Sequence, residues 1–147
     1  MEGLLCQICT RPADRDERGW LFLHGPVVSE NTFPAENITP VEGVLTAQPP
    51  VCLPHALTSA TQCPHLDGRP LAMRVRLPLL YGVIGALCAG DAFGRPVRMP
   101  DDGRPVAYGD MRMPWILASQ SVVRLVGVTV VDLEQEAETA LPRRTPP

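Results

Sequence analysis

The sequence predicts an α+β protein: short antiparallel strands with a C-terminal helix and a closing strand. Three observations lead to that class. In "LAMRVRLP" (71–78), Met73, Val75 and Leu77 alternate with Arg74 and Arg76, a period of two that gives a strand one wet face. In "MPWILASQSVVRLVG" (113–127), Pro114 can open a helix, Trp115, Ala118, Val122 and Val126 lie near one helical face, and Gly127 can cap the end. Seventeen prolines keep the elements short and fix many turns.

The elements follow in order. Residues 3–10 form a turn carrying Cys6 and Cys9, and "PADRDERG" is a polar turn ending in Gly19. "WLFLHGPVV" (20–28) is an apolar, aromatic strand stopped near Gly25-Pro26. Residues 29–43 read as a loop rich in Asn, Pro and Glu, and "VLTAQPP" (44–50) offers a short strand. Pro54 suits the first turn of a helix, where its missing N–H costs nothing; "HALTSATQ" adds two turns and Cys63-Pro64 ends them. "LLYGVIGALCAG" (79–90) reads as a buried strand, because Gly82, Gly85 and the β-branched pair disfavour a helix. "RPVRMPDDGRPVAYG" (95–109) signals a hairpin turning at Asp102-Gly103. After the helix at 114–126, "VTVVDLE" closes the fold as a strand. The expected organisation is one compact domain over 1–136, with a cysteine-bearing half (1–66), a strand-rich half (67–136) and a flexible tail (137–147).

Composition narrows the class. The 147 residues are 45% hydrophobic, enough for one modest core, and contain no apolar run long enough to span a membrane. The start, "MEGLLCQICT", lacks the basic and apolar regions of a secretory signal, so a cytoplasmic protein with reduced thiols is expected. All thirteen basic residues are arginine. Residues 1–66 carry three Arg against seven acids (−4), residues 67–136 eight against eight (0), and the tail two against one (+1), summing to −3. The cysteine-bearing half is therefore the acidic one.

Cys6-x-x-Cys9 followed by Cys52-x-x-His55 has the spacing of a tetrahedral Cys₃His zinc site. Two intervening residues let the backbone turn back, so both side chains of a pair reach one ion. Soft thiolates with an imidazole suit zinc rather than calcium or magnesium. Both pairs together would arise by accident in roughly 2% of chains of this composition, which favours a site over coincidence. The plainer alternative is two buried thiols near a turn and an unrelated histidine. Cys63 and His65 compete as ligands, but Cys63 lies about 12 Å along the helix from His55 at 1.5 Å per residue. Cys63 is read as core or helix cap, His65 as exposed, and Cys88 as a small buried hydrophobe.

A cysteine knuckle, strands, then a ligand pair entering a helix resembles the element order of a treble-clef zinc finger. More narrowly, "LCQICTRPADRDERG", "PPVCLPHA", "CPHL" and "MPWILASQSVVRLVGVTVVDL" resemble a family of small proteins from Streptomyces and related actinobacteria. The likeness covers most of the chain. Typical members carry Cys where this chain has His55, an exchange zinc tolerates. The resemblance implies zinc and an intracellular setting, and carries no activity.

Four protein ligands leave no open coordination position, so the expected role of the ion is structural. The enzymatic alternative is an HNH-type nuclease, which also builds on a treble clef; His24 with Asn31 or Asn37 sits between the ligand pairs. The second catalytic residue of such a strand end is missing from "LFLHGPV", and Ala56 stands where a histidine would follow the second pair. No nucleophile elbow or phosphate loop is present. Nucleic acid binding requires clustered positive charge, which the acidic half lacks. Arg74, Arg76, Arg98 and Arg104 are the candidate contacts, against the commoner reading of a solvated sheet face. The remaining class, and the favoured one, is a module that binds a protein partner or a second copy of itself. Trp20 and Trp115 are read as core first and as interface anchors second.

Overall fold

A computed structural model describes residues 3–25, 41–66, 70–100 and 103–140. Among these residues the protein is mostly antiparallel strand with two helices: β1 (Arg15–Asp16), β2 (Gly19–His24), β3 (Leu45–Thr46), α1 (Leu53–Gln62), β4 (Leu71–Gly90), β5 (Pro96–Arg98), β6 (Val106–Ala107), β7 (Ile116–Val131) and α2 (Leu133–Ala140). Contacts divide the chain into two compact units. The first takes residues 1–42, 48–77 and 126–147; the second takes 43–47 and 78–125. β4 and β7 each supply residues to both.

In the first unit, β2 pairs antiparallel with β1 and with the start of β4, placing Trp20 opposite Val75, Leu21 opposite Arg74 and Phe22 opposite Met73. Trp20 through Leu23 are all buried, so both faces of β2 are covered and its sequence shows no alternation. Leu21, Leu23, Val51, Leu53, Ala56, Leu66 and Ala72 form a core with Cys6, and Val131 and Leu133 pack against it. α1 begins with Pro54 in its first turn and ends at Cys63, as the sequence requires. The β7 segment of this unit contains Gly127 at φ +68°, where a Cβ would also approach the Cβ of Arg76 to 3.0 Å. The Gly127 and Val128 N–H groups donate to the Glu42 carboxylate at 2.9 Å each, a charged plug on a strand edge.

The buried cation of this unit is Arg74, only 3% exposed. Its guanidinium donates to Glu136 Oε2 (3.0 Å from Nε) and to Asp14 Oδ1 (2.5 Å), and lies 3.5 Å from Asp16 Oδ2. Arg18 donates to Asp16 and, at 2.8 Å, to Glu136 Oε1. A guanidinium leaves water only where carboxylates occupy its fork of donors.

In the second unit, β6 pairs with β4 at Gly82–Val83 and β5 pairs with it at Cys88–Gly90. β3 pairs with β7 at Val123–Arg124. Gly82 and Gly85 mark close approach: a Cβ would fall 1.9 Å from the Val106 oxygen and 2.3 Å from the Leu117 oxygen. The core is small, formed by Val83, Val106, Val122 and Leu125 with Thr46.

Several expectations are corrected. The helix expected at 114–126 does not form. Met113–Trp115 make one 3₁₀ turn, and Ile116 onward is strand β7. Ile116, Val122, Val123, Val126, Val128 and Thr129 are β-branched and fit a pleated surface, while Trp115 and Ala118, on the supposed buried face, are exposed. The strands are not all short: "LAMRVRLP" and "LLYGVIGALCAG" join through Pro78 into the 20 residues of β4. The chain also turns at Asp91–Arg95, where the Asp91 carboxylate accepts from the Phe93 and Arg95 N–H groups. β5 and β6 each pair with β4, and Asp102 lies outside the described residues. The closing strand stops at Val131, and Asp132 caps α2 by accepting from the Glu134 and Gln135 N–H groups. Residues 137–140, expected in the tail, are helical, and 141–147 lie outside the described residues.

Burial raises the Asp16 pKa, but the Arg18 hydrogen bonds and the Arg74 and Arg18 charges outweigh it and hold the carboxyl below its ordinary 3.8. A group depressed on folding stabilises the fold above its unfolded value and stops doing so as pH falls through the folded one. Urea titrations of wild type and Asp16→Asn should therefore differ most above pH 3.8 and converge below it; a gap that widens toward acid would contradict the ion-pair account.

Candidate metal centre

Cys6, Cys9, Cys52 and His55 converge: their ligand atoms all lie within 4.8 Å of one another, close enough to hold one metal ion. Cys9 Sγ is 3.9 Å from Cys52 Sγ, and His55 Nδ1 is 3.7 Å from Cys6 Sγ and 3.1 Å from Cys52 Sγ. Around a tetrahedral ion with bonds of about 2.3 Å to sulfur, ligand atoms sit roughly 3.5–3.8 Å apart; the 3.7 and 3.9 Å separations are near that range and the 3.1 Å one is shorter.

Local backbone chemistry sets each ligand. Cys6 and Cys9 flank a tight knuckle in which the Cys6 N–H donates to the Arg11 oxygen (2.7 Å) and the Thr10 N–H to the Cys6 oxygen (3.0 Å). The Ile8 N–H points at Cys6 Sγ at 3.5 Å. Thr10 completes the turn at φ +58°, a left-handed conformation that a β-branched residue adopts at a cost. Cys52 is the N-cap residue of α1, and His55 lies in the first turn of the same helix. One backbone bond, Gln7 N–H to the Pro50 oxygen, ties that helix start to the knuckle, and two more, Asp14 N–H to the Val51 oxygen and Val51 N–H to the Leu21 oxygen, tie it to the chain beside β1 and to β2.

The electrostatics of the cluster separate its thiols. Burial opposes ionisation of Cys6, but N–H groups of Cys9, Cys52 and Ile8 and a hydrogen bond with the Cys52 thiol outweigh it and lower its pKa to about 6. Cys52 moves up, first through burial, and then through the Cys6 and Cys9 sulfurs, which outweigh the His55 N–H. One sulfur thus carries a negative charge readily and its neighbour resists a second. A bound divalent ion removes that repulsion.

The remaining candidate residues fall elsewhere. Cys63 is half-buried against the core beside α1, with its N–H donating to the Ser59 oxygen, and fits both parts of the core-or-cap reading. His65 is exposed and Cys88 half-buried. His24 Nδ1 lies 2.9 Å from the Gly25 oxygen; Asn31 and Asn37 lie outside the described residues. Arg74 is buried and spent on carboxylates, so it offers nothing to a phosphate, whereas Arg76, Arg98 and Arg104 are exposed. Trp20 is core, with Arg15 4.2 Å over its ring, but Trp115 is 59% exposed, against the expectation of burial.

Sequence reasoning missed the Asp14–Arg74–Glu136 cluster. Its one legible trace is the capping pattern Asp132-Leu-Glu-Gln135, which announces a helix at 133 and hence a place for Glu136. Comparison of the chain with protein families, with curated proteins and with solved structures gave no match. The class defined by fold and site is therefore a mixed, mainly antiparallel protein with a Cys₃His cluster able to bind a metal, and no helix among the described residues is long and apolar enough to cross a membrane.

Thr10→Gly should relieve the strain of the knuckle. Thermal unfolding of the metal-loaded protein should show a gain of about 1 kcal/mol, and an unchanged or lowered midpoint would refute the strain.

Proposed function

We propose that the protein is a zinc-stapled binding module that acts through a protein partner or through a second copy of itself in the cytoplasm. One observation carries the reading: three sulfurs and one imidazole nitrogen gathered within 4.8 Å from segments about forty residues apart in the chain. The donor set matches zinc, and four protein ligands complete a tetrahedron, so the ion serves the fold rather than a reaction. The knuckle, the β1–β2 hairpin and the ligand pair opening α1 follow the element order of a treble clef. Kinship with small actinobacterial zinc proteins belongs to the same proposal.

Binding is supported by the second unit. Leu80, Phe93, Met111, Trp115 and Leu117 are 59–91% exposed around a core of a few valines and a leucine. Apolar side chains in that number on one small unit favour a covered surface. Nucleic acid is the weaker reading, because Arg74 is internally paired and the acidic first 66 residues repel phosphate. An HNH-type nuclease is less favoured, because "LFLHGPV" offers a single histidine and Ala56 follows the second ligand pair.

Elemental analysis of protein purified without chelators should find one zinc per chain, and Cys52→Ser should lose it. Chelation should lower the thermal midpoint by about 10 °C or more, since metal binding is here part of the folding free energy. Absence of stoichiometric zinc, or a midpoint indifferent to its removal, refutes the staple.

Sedimentation velocity and a native-host pull-down should show self-association or a retained partner, reduced at least tenfold by Trp115→Asp with Leu117→Asp while zinc content and midpoint stay unchanged. Undiminished association in that variant would move binding away from this surface.

A further inference from the structure

Helix α2 is eight residues long, too short to persist in water by itself. It forms because it is docked, and two attachments dock it. Leu133, with Val131 two residues before it, packs on the core cluster, whose members include Cys6, Leu53 and Ala56. Glu136 enters the protein to 8% exposure and accepts from Arg74 and Arg18.

Both attachments lead to the four clustered residues. Cys6 is one of them, and Leu53 and Ala56 bracket His55 in α1, which touches α2. The second attachment runs through Arg74 to Asp14. The Asp14 N–H donates to the oxygen of Val51, the residue before Cys52, and the Ala13 N–H donates to the oxygen of Leu4, ahead of Cys6. The anchor of the buried arginine is thus fastened to the backbone at both ends of the cluster.

We propose that α2 is a metal-gated strap: an ion held by Cys6, Cys9, Cys52 and His55 fixes both the apolar seat of Leu133 and the Asp14–Arg74 anchor of Glu136, so metal binding and strap docking strengthen each other. The inference rests on the metal-binding reading above and adds regulation to it. Removing the ion loosens the knuckle and the start of α1, and the strap loses its seat while the β2–β4 pairing remains. Linkage makes the effect reciprocal, so weakening the strap weakens metal binding by the same factor.

Zinc affinity of the full chain, measured by chelator competition, supplies one arm. Glu136→Gln should weaken zinc about tenfold, and Glu138→Gln, the same charge change at an exposed position of α2, should stay within twofold. Amide exchange of the wild-type protein supplies the other arm and needs no variant: on chelation, residues 133–140 should lose protection while 71–75, paired with β2, keep theirs. Unchanged zinc affinity in Glu136→Gln overturns the strap, as does protection of α2 that survives chelation or is lost together with 71–75. Those results leave stoichiometric zinc in the wild type, whereas a wild type without zinc overturns the metal-binding reading and the strap with it.

Discussion

The first unit depends on holding three thiols beside one another. Cys9 and Cys52, 43 residues apart, are brought to 3.9 Å by main-chain bonds that tie Gln7 to Pro50 and Asp14 to Val51. Backbone N–H groups favour the Cys6 thiolate, while burial and the neighbouring sulfurs disfavour that of Cys52. A soft divalent cation would relieve that repulsion, and the imidazole of His55 would supply a fourth donor without adding charge.

Arg74 plays the corresponding part for the polar interior. A buried guanidinium is tolerable only with its donors occupied, and Asp14 and Glu136 come from opposite ends of the chain to occupy them. Its neighbours across and along the sheet, Leu21, Met73 and Val75, are among the most deeply buried side chains. A position that alternation assigns to solvent is therefore interior, because elements outside the strand cover the second face. The cluster gives α2 a defined place and braces the backbone beside Val51 and Cys52.

The second unit is built on a different economy. Long strands approach closely at Gly82 and Gly85, with few side chains to bury and many apolar ones left outside. Hydrogen-bonded ladders supply order, but several exposed strands with a four-residue apolar core have little hydrophobic reserve. A surface of this kind gains stability from being covered, which is why association is the function proposed for it.

Much of the site was legible in the sequence: two ligand pairs at fixed spacing, the second entering a proline-started helix, are local patterns whose chemistry does not depend on the rest of the fold. The strand at 71–77 and the end of α1 at Cys63-Pro64 were fixed by equally local rules. The 114–126 segment was not, because Trp115, Ala118, Val122 and Val126 satisfy a helical face as well as its valines satisfy a strand, and only pairing with β4 and β3 separates the two. The sequence alone determined which atoms could bind a metal. Tertiary structure decided that Arg74 is interior, that Glu136 is its partner and that residues 133–140 form a docked helix, since burial and long-range charge pairing belong to elements that meet only when the chain has folded.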